Sequence, residues 1–340
     1  MATTIATKKV SPEGILRILN AYQQTAVLRT AIELDLFSAI SEGATDAAAI
    51  AAKAGAQARG IRILCDALTI MGLLTKSAGQ YGLSAEAAAF LDRKSPMCVA
   101  QMAGFLGRSE LTRNFGYLTE TVRKGAPPQD ESAQPENPFW VAFARSMAGL
   151  MVPAANFIAG LIGAEESRPI KVLDIAAGHG TFGITIAKKN PKARIVAQDW
   201  AAVLTVALEN AQKAGVETQI QVLPGSAFDV EFGEEYDVVL LTNFLHHFDA
   251  ATNEKLLKKL RKALKPSGKV ATLEFVPNED RISPPTAALF SVGMLASTAA
   301  GDAYTYAELD GMFRAAGFGE TVAHQVPDMP QTVLISEKGD

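Results

Sequence analysis

VLDIAAGHGTFG, Val172–Gly183, is the stretch that decides the fold. It sits in an apolar run, "KVLDIAA" from Lys171, whose composition suits a strand buried on both faces. The run ends in Gly178, Gly180 and Gly183, which fit G-x-G-x-x-G, and a helix is expected from there to Lys189. Strand, glycine turn and helix open a βαβ unit. Glycines there let the backbone come close to a ligand, and the first helical turn offers N–H groups that have no partner in the helix.

Downstream the alternation continues. "ARIVAQD" is a second strand, followed by a helix from about Ala201 to Gly215. "IQVLPG" and "YDVVLLTN" are a third and a fourth strand. "NEKLLKKLRKAL" is a helix closed by "KPSGK", and "KVATLEF" is a fifth strand. Strands alternating with helices imply a parallel sheet covered on both faces. The chain ends with a helix at Thr305–Ala316 and two strand-like pieces, "ETVAHQ" and "TVLISEK". The gap between those two is too short for a parallel crossover, so they run antiparallel.

Two cofactors compete for such a loop. Asp199 ends the second strand, about twenty residues past the glycines, where a carboxylate accepts ribose hydroxyls. NAD fits that much. Asp174, inside the first strand, would repel a pyrophosphate, whereas S-adenosylmethionine carries a sulfonium and an ammonium. The βαβ pattern begins only at Lys171, and the antiparallel end is unusual for dinucleotide folds. These features favour S-adenosylmethionine over an NAD-dependent oxidoreductase.

Upstream, residues 13–40 show helical spacing, from Ile15 and Ile18 through Leu34 to Phe37 and Ile40. "TDAAAIAAKAG" is a short helix capped by Thr45 or Asp46 and stopped at Gly55. "QARGIRILCDALTIMGLL" is a second helix, and "LLTKSAGQYGLS" a hairpin turning at Ser77–Gln80. Helix, helix, hairpin is the plan of a winged helix. Its second helix carries Arg59, Arg62 and little other positive charge, which favours packing or dimerisation over DNA. Residues 125–138, rich in Pro and polar residues, form a loop. Phe139 to Ile162 is helical and apolar on most sides, which predicts burial.

Composition agrees. The chain has 340 residues, 48% of them hydrophobic, and a formal net charge of −4. That length suggests about two domains. The charge offers no basic patch to hold nucleic acid. Cys65 and Cys98 lie among apolar residues with no Cys or His at metal-ligand spacing, as buried thiols in a reducing cytoplasm would. The first ten residues lack the apolar run of a signal peptide. No stretch approaches the roughly 18 apolar residues of a membrane span. We expect a cytoplasmic protein that enters no membrane.

These blocks together resemble the small-molecule O-methyltransferase family, which includes plant caffeic acid and isoflavone enzymes, the vertebrate melatonin-forming enzyme and bacterial tailoring enzymes. "VLDIAAGHG", "YDVVLLTNFLHHFD", "LKPSGKV" and "TLEFV" match its cofactor and catalytic blocks, and "AYQQTAVLRTAIELDLFSAI" its dimerisation helix. The resemblance implies an α/β fold: a Rossmann-like class I methyltransferase domain, seven-stranded with an antiparallel last strand, after a mainly helical winged-helix domain. The expected divisions are 1–110 for dimerisation, 111–168 for a linker loop and helices lining the substrate pocket, and 169–340 for catalysis. It further implies a homodimer, S-adenosyl-L-methionine as cofactor, S-adenosyl-L-homocysteine as product, and no metal.

Residue by residue, the resemblance assigns Asp174, Ala176, Gly178 and Gly180 to the cofactor loop. Asp199 takes the ribose, with Trp200 beside the adenine. Ser226, Ala227 and Phe228 flank the adenine, and Asn243 lies near the cofactor tail. Phe139, Phe143, Met147, Met294 and Thr298 line the substrate pocket. His246 falls on the catalytic base and Glu274 on the carboxylate that orients it. The chain departs from many relatives at Ser226, where they carry Asp, at Asn243, where they carry a basic residue, and at Ala303, where plant relatives have a second orienting carboxylate.

The residues bear the chemistry on their own. A neutral His takes the proton of a phenol near pH 7, and a carboxylate beside it fixes the tautomer. His246 and Glu274 follow neighbouring strand ends, the edge where such sheets bind ligands. The expected reaction is base-assisted O-methylation of a hydroxylated aromatic or polyketide-like molecule. C- or N-methylation and a non-catalytic binding protein are the alternatives. For His247 a structural role is expected. His179, inside the glycine loop, is open between a cofactor contact and a solvated surface position.

Overall fold

The structure is a computed structural model, and it describes residues 10–106, 109–128, 136–166 and 168–339. The first nine residues and half of the expected loop, 129–135, lie outside the described residues. The chain divides into two compact units, Met1–Arg108 and Ser109–Asp340.

The N-terminal unit contains α1 (Glu13–Leu19), α2 (Ala21–Glu33), α3 (Leu36–Ser41), α4 (Ala47–Ala54), α5 (Ala58–Ile70), β1 (Leu74–Ser77), β2 (Gln80–Leu83), α6 (Ala85–Phe90) and α7 (Ala100–Leu106). The helical stretch expected over 13–40 is thus three helices. They break at Asn20 and at Asp35, whose φ of 51° no α-helix accommodates. Asp46, rather than Thr45, caps α4, accepting Ala48 N and Ala49 N at 2.9 Å, and Gly55 ends it in the left-handed conformation. Ala78 and Gly79 both take positive φ, the geometry of a two-residue hairpin turn. Ile32, Leu36, Phe37, Ile50, Ile61, Cys65 and Leu68 form the core. Cys65 is buried as expected, whereas Cys98 is only half-buried.

The second unit begins with α8 (Ser109–Gly116), α9 (Leu118–Lys124), α10 (Pro138–Met147) and α11 (Val152–Leu161). The single apolar helix expected over 139–162 is two, bent by 78°. Gly149 lies in the break, and Pro153 sits in the first turn of α11, where its missing N–H costs nothing. Only α11 is buried, through Ala154, Ala155, Ile158 and Ala159; α10 buries Ala144 alone. No single described helix is long and apolar enough to cross a membrane.

Then come β3 (Ile170–Ile175), α12 (Thr181–Lys189), β4 (Ala193–Asp199), α13 (Ala201–Ala214), β5 (Ile220–Pro224), β6 (Tyr236–Thr242), α14 (Ala250–Ala263), β7 (Leu264–Glu274), α15 (Pro285–Ser297), α16 (Tyr306–Ala315), β8 (Thr321–Gln325) and β9 (Thr332–Glu337). The seven strands lie in the order β5-β4-β3-β6-β7-β9-β8. The first five are parallel, and β9 runs antiparallel to both β7 and β8. "KPSGK" does not close α14 but begins β7: Leu264 pairs with Tyr236 before the register shifts to Lys269 and Val238. Gly268 fills that shift, since a Cβ there would stand 2.9 Å from Tyr236 O.

Burial on both faces explains the unbroken apolar strands. Val172, Val238 and Leu240 pack with α11 and α12, and their neighbours Leu173, Val239 and Leu241 with α14 and α16. Chain direction reverses about β3, with β4 on one side and β6 on the other. The carboxyl ends of β3, β4, β6 and β7 therefore share one edge, with a crevice expected at the switch.

Candidate active site

At that edge the glycine loop divides its labour. Ala176 and Gly178 take positive φ, 50° and 56°, and Gly178 N donates to Asp199 Oδ2 at 2.9 Å. A Cβ on Gly178 would find only Ala176 O, at 3.7 Å, so this is the loop's open side. Gly180 is held against Ala207, and Gly183 against Ile195, where a Cβ would stand 2.7 Å from Cγ2. Gly178 thus leaves its side of the loop open, and the other two serve packing.

Asp199 is fixed by two backbone donors, Gly178 N to Oδ2 and Trp200 N to Oδ1 at 2.7 Å. Burial nevertheless pushes its carboxyl up to about 6. Each oxygen keeps a second lone pair, as acceptance of ribose hydroxyls requires. Trp200 packs by α13 with Val203, Val206 and Trp140.

Asp174 stands beneath the loop rather than on its open side. It is fully buried beneath the loop, accepting Gly183 N at 3.2 Å, and burial pushes its carboxyl up to about 7. From there its Oδ2 braces the loop, while the buried Oδ1 has no hydrogen-bond partner. His179 is also buried, accepting Thr181 N through Nδ1 at 3.1 Å, and burial pushes its imidazole down to about 4. It is a neutral part of the helix start, not a solvated side chain.

On the β5 side, Ser226 Oγ accepts Phe228 N at 3.2 Å, so its hydroxyl closes its own turn. Ala227 is buried in the core, and Phe228 packs edge-on against Phe248, ring centroids 5.0 Å apart. Two residues the sequence reading passed over hold this region. Gln198 links the two loops, accepting Ala176 N at 3.4 Å and donating to Gly225 O at 2.5 Å. Its signal was available: one amide inside an apolar strand. Lys259 Nζ donates to Ala227 O, Phe228 O and Val230 O at 3.2, 3.0 and 2.6 Å. Asn243 follows β6 with φ 52°; its Nδ2 lies 3.7 Å from Met151 Sδ, and its buried Oδ1 lacks a hydrogen-bond partner.

His246 lies in a 3-10 turn, Leu245–His247, just past β6. Its Nδ1 is 2.6 Å from Glu274 Oε2, and both side chains are buried. Glu274 Oε1 accepts Phe244 N at 3.0 Å and Leu245 N at 2.8 Å. The carboxylate thus grips both the ring and the start of its turn. Two further residues absent from the sequence reading hold the same turn: Asn253 Nδ2 donates to Leu245 O at 2.9 Å, and Tyr304 Oη to Phe248 O at 2.6 Å.

Around His246 stands an aromatic wall. Phe290 meets its ring edge-on at 4.9 Å and stacks on Phe275 at 4.0 Å. His247 lies 4.4 Å from the His246 ring and edge-on to Trp140 at 5.5 Å. Burial and neighbouring His246 hold the His247 imidazole well below its usual range, so it is neutral. Phe139 and Phe143 of α10 flank Trp140 at 5.1 and 5.8 Å, whereas Met147 packs against the sheet core. Of the two residues expected on α15, Met294 is buried, and Thr298 is its C-cap. Thr298 is buried with its hydroxyl occupied, donating to Met294 O at 2.7 Å and accepting Gly301 N at 2.9 Å. It ties down the following loop. Ala303 is fully buried.

A glycine loop at a switch point, a clamped carboxylate one strand away and a buried His–Glu pair on the same edge are the layout of a cofactor-dependent group-transfer enzyme. The comparisons give the family. Residues 163–319 match an O-methyltransferase domain and residues 16–93 an O-methyltransferase dimerisation domain. A solved protein from Nostoc punctiforme, described as an O-methyltransferase, is 45% identical with a TM-score of 0.93, 97% of this chain and 100% of that one being covered. The 3-hydroxy-5-methyl-1-naphthoate 3-O-methyltransferase of Streptomyces sahachiroi is 29% identical, over 87% of this chain and 86% of its own. The tetracenomycin polyketide synthesis 8-O-methyl transferase of Streptomyces glaucescens is 27% identical, over 96% and 97%. The chain belongs to the O-methyltransferase family and is an S-adenosylmethionine-dependent enzyme. The NAD-dependent and non-catalytic alternatives fall with that assignment.

Proposed function

We propose that the enzyme methylates a hydroxyl group on a flat aromatic or polyketide-like molecule, with His246 as the general base and Glu274 as its orienting partner. The observation that carries this reading is the 2.6 Å contact between His246 Nδ1 and Glu274 Oε2, buried behind Phe290 and Phe275. Nδ1–H donates to the carboxylate, which leaves Nε2 as the basic nitrogen. Nε2 takes the hydroxyl proton of the acceptor, and Glu274 stabilises the imidazolium that results. The aromatic wall suits a planar ring, and two relatives are named for naphthoate and polyketide substrates.

S-adenosylmethionine, when bound, supplies a methyl group on a sulfonium sulfur. The residues present suit it. Gly178 offers open backbone, Asp199 offers oriented lone pairs for a ribose, and Asn243 Oδ1 is a buried acceptor that still lacks a donor. The turn at Ser226, Ala227 and Phe228, together with Trp200, would hold the adenine. No acidic side chain stands at Ser226, so stacking and backbone groups recognise the purine. The base is an imidazole, so the reading needs no metal ion to activate the hydroxyl. The N-terminal unit is read as a winged-helix dimerisation domain that brings two copies together.

His246→Ala should cut turnover by about 10²-fold or more while leaving calorimetric affinity for S-adenosylhomocysteine nearly intact. Unchanged turnover would remove the base assignment. Mass spectrometry of products from phenols, flavonoids and polyketides tests the acceptor class.

A further inference from the structure

We propose that Asn253 and Tyr304 are positioning residues for the general base, holding the backbone turn that carries His246. The proposal rests on the reading of His246 as the base. One hydrogen bond, donated to Glu274, fixes a ring nitrogen but leaves the ring free to tilt about that bond. The tilt is set by where the backbone holds the His246 Cα, and a lone 3-10 turn is weak by itself.

Here the turn is gripped at both ends. Glu274 Oε1 takes the N–H groups of Phe244 and Leu245. On the carbonyl side, Asn253 Nδ2 reaches Leu245 O at 2.9 Å and Phe248 O at 3.3 Å, and Tyr304 Oη reaches Phe248 O at 2.6 Å. The loop before Tyr304 also leans on the turn: a Cβ on Gly301 would stand 2.1 Å from His246 O.

The composition of these partners argues for purpose. Asn253 is fully buried, on the same face of α14 as Leu256, Leu257 and Leu260, where another leucine would extend the apolar stripe. Its Oδ1 has no hydrogen-bond partner, so the amide is retained at a desolvation cost. Nδ2, bridging two carbonyls of the turn, is the half that has a task. Tyr304 adjoins Ala303, so a tyrosine hydroxyl acting on the backbone does part of what a second carboxylate would do on the ring. Burial and nearby acidic groups push that hydroxyl up to about 12, so it remains a donor throughout the working range.

The test is Tyr304→Phe and Asn253→Ala, each alone and each combined with His246→Ala. Tyr304→Phe should lower kcat roughly three- to tenfold, the loss of one neutral hydrogen bond. Asn253→Ala should lower it about 10- to 100-fold, as misplacement of a reacting group does. KM for S-adenosylmethionine should stay within about twofold, and the acid limb of the kcat–pH profile should move to lower pH as the Glu274 contact loosens. In the His246→Ala background neither change should slow turnover further, because both act through that ring. An unchanged kcat and pH profile in Tyr304→Phe, or an equal loss in the His246→Ala background, overturns the proposal. Tyr304→Phe removes one oxygen and keeps the ring, so it carries the test if Asn253→Ala does not fold. Unchanged turnover in His246→Ala itself would sink the parent reading instead.

Discussion

Glu274 divides its oxygens between backbone and imidazole, and this makes Glu274→Gln informative. The amide oxygen can still accept Phe244 N and Leu245 N, so the turn survives. The amide nitrogen then faces His246 Nδ1 and donates to it, which moves the ring proton to Nε2, where the base must be empty. We expect kcat to fall by about 10²-fold or more with melting temperature little changed; near-normal kcat would show that the tautomer is immaterial. Asp199 makes a second prediction. Burial raises its carboxyl to about 6, and ribose hydroxyls donate more strongly to its ionised form. Cofactor binding therefore releases a proton below that pH. Affinity for S-adenosylhomocysteine should rise by up to about tenfold per unit from pH 5 to 6 and level off above 7. Calorimetry in two buffers of different ionisation enthalpy measures the proton directly, and a flat affinity over that range would show that Asp199 binds no hydroxyl.

Elements were legible where one local rule governs them. The strands of the sheet show as apolar runs because both faces are buried, and α4 shows through Asp46 and Gly55. The helices α6 to α9, six to eight residues long, are too short to display a period. The pairing of β6 beside β3 depends on contacts far apart in the chain. Site residues divide likewise. His246 and Glu274 follow strand ends, so their placement was readable. Asn253, Tyr304 and Gln198 act on backbone 8, 56 and 22 residues away, which no local pattern records. The burial of Asp174 and Thr298 was not readable, because sequence gives a position along a loop, not which side of it is covered. Gly183 tests the helix-on-sheet contact itself. Alanine favours helix over glycine by about 0.5–1 kcal/mol. At Gly183 its Cβ would press on Ile195 Cγ2 at 2.7 Å, and overpacking of about 1–3 kcal/mol should win. Gly160 in α11 has nothing within 4 Å, so the same change there should stabilise. Denaturant melts of the two variants should therefore move in opposite directions; a stabilised Gly183→Ala would mean that the contact yields.

For the whole molecule, α1 poses the remaining problem. None of its residues is buried, yet Ile15, Ile18 and Leu19 are 66%, 74% and 65% exposed, and Tyr22, just beyond it, 68%. A seven-residue helix has too few turns to stand by its own hydrogen bonds. A cluster of large apolar side chains left in water forgoes roughly 1.5–3 kcal/mol for each that could be fully buried. Something must cover this face, and the match to a dimerisation domain over 16–93 makes a second copy of the chain the natural cover. Ile15→Asp with Ile18→Asp places two charges on that face, which cannot then be buried without partners. The double variant should sediment as a monomer at micromolar concentration where the unaltered chain sediments as a dimer, with far-ultraviolet ellipticity reduced by about one short helix. The catalytic unit has its own sheet and core, so binding of S-adenosylhomocysteine should survive the change. A monomeric mass for the unaltered chain by light scattering would refute the assignment of this face.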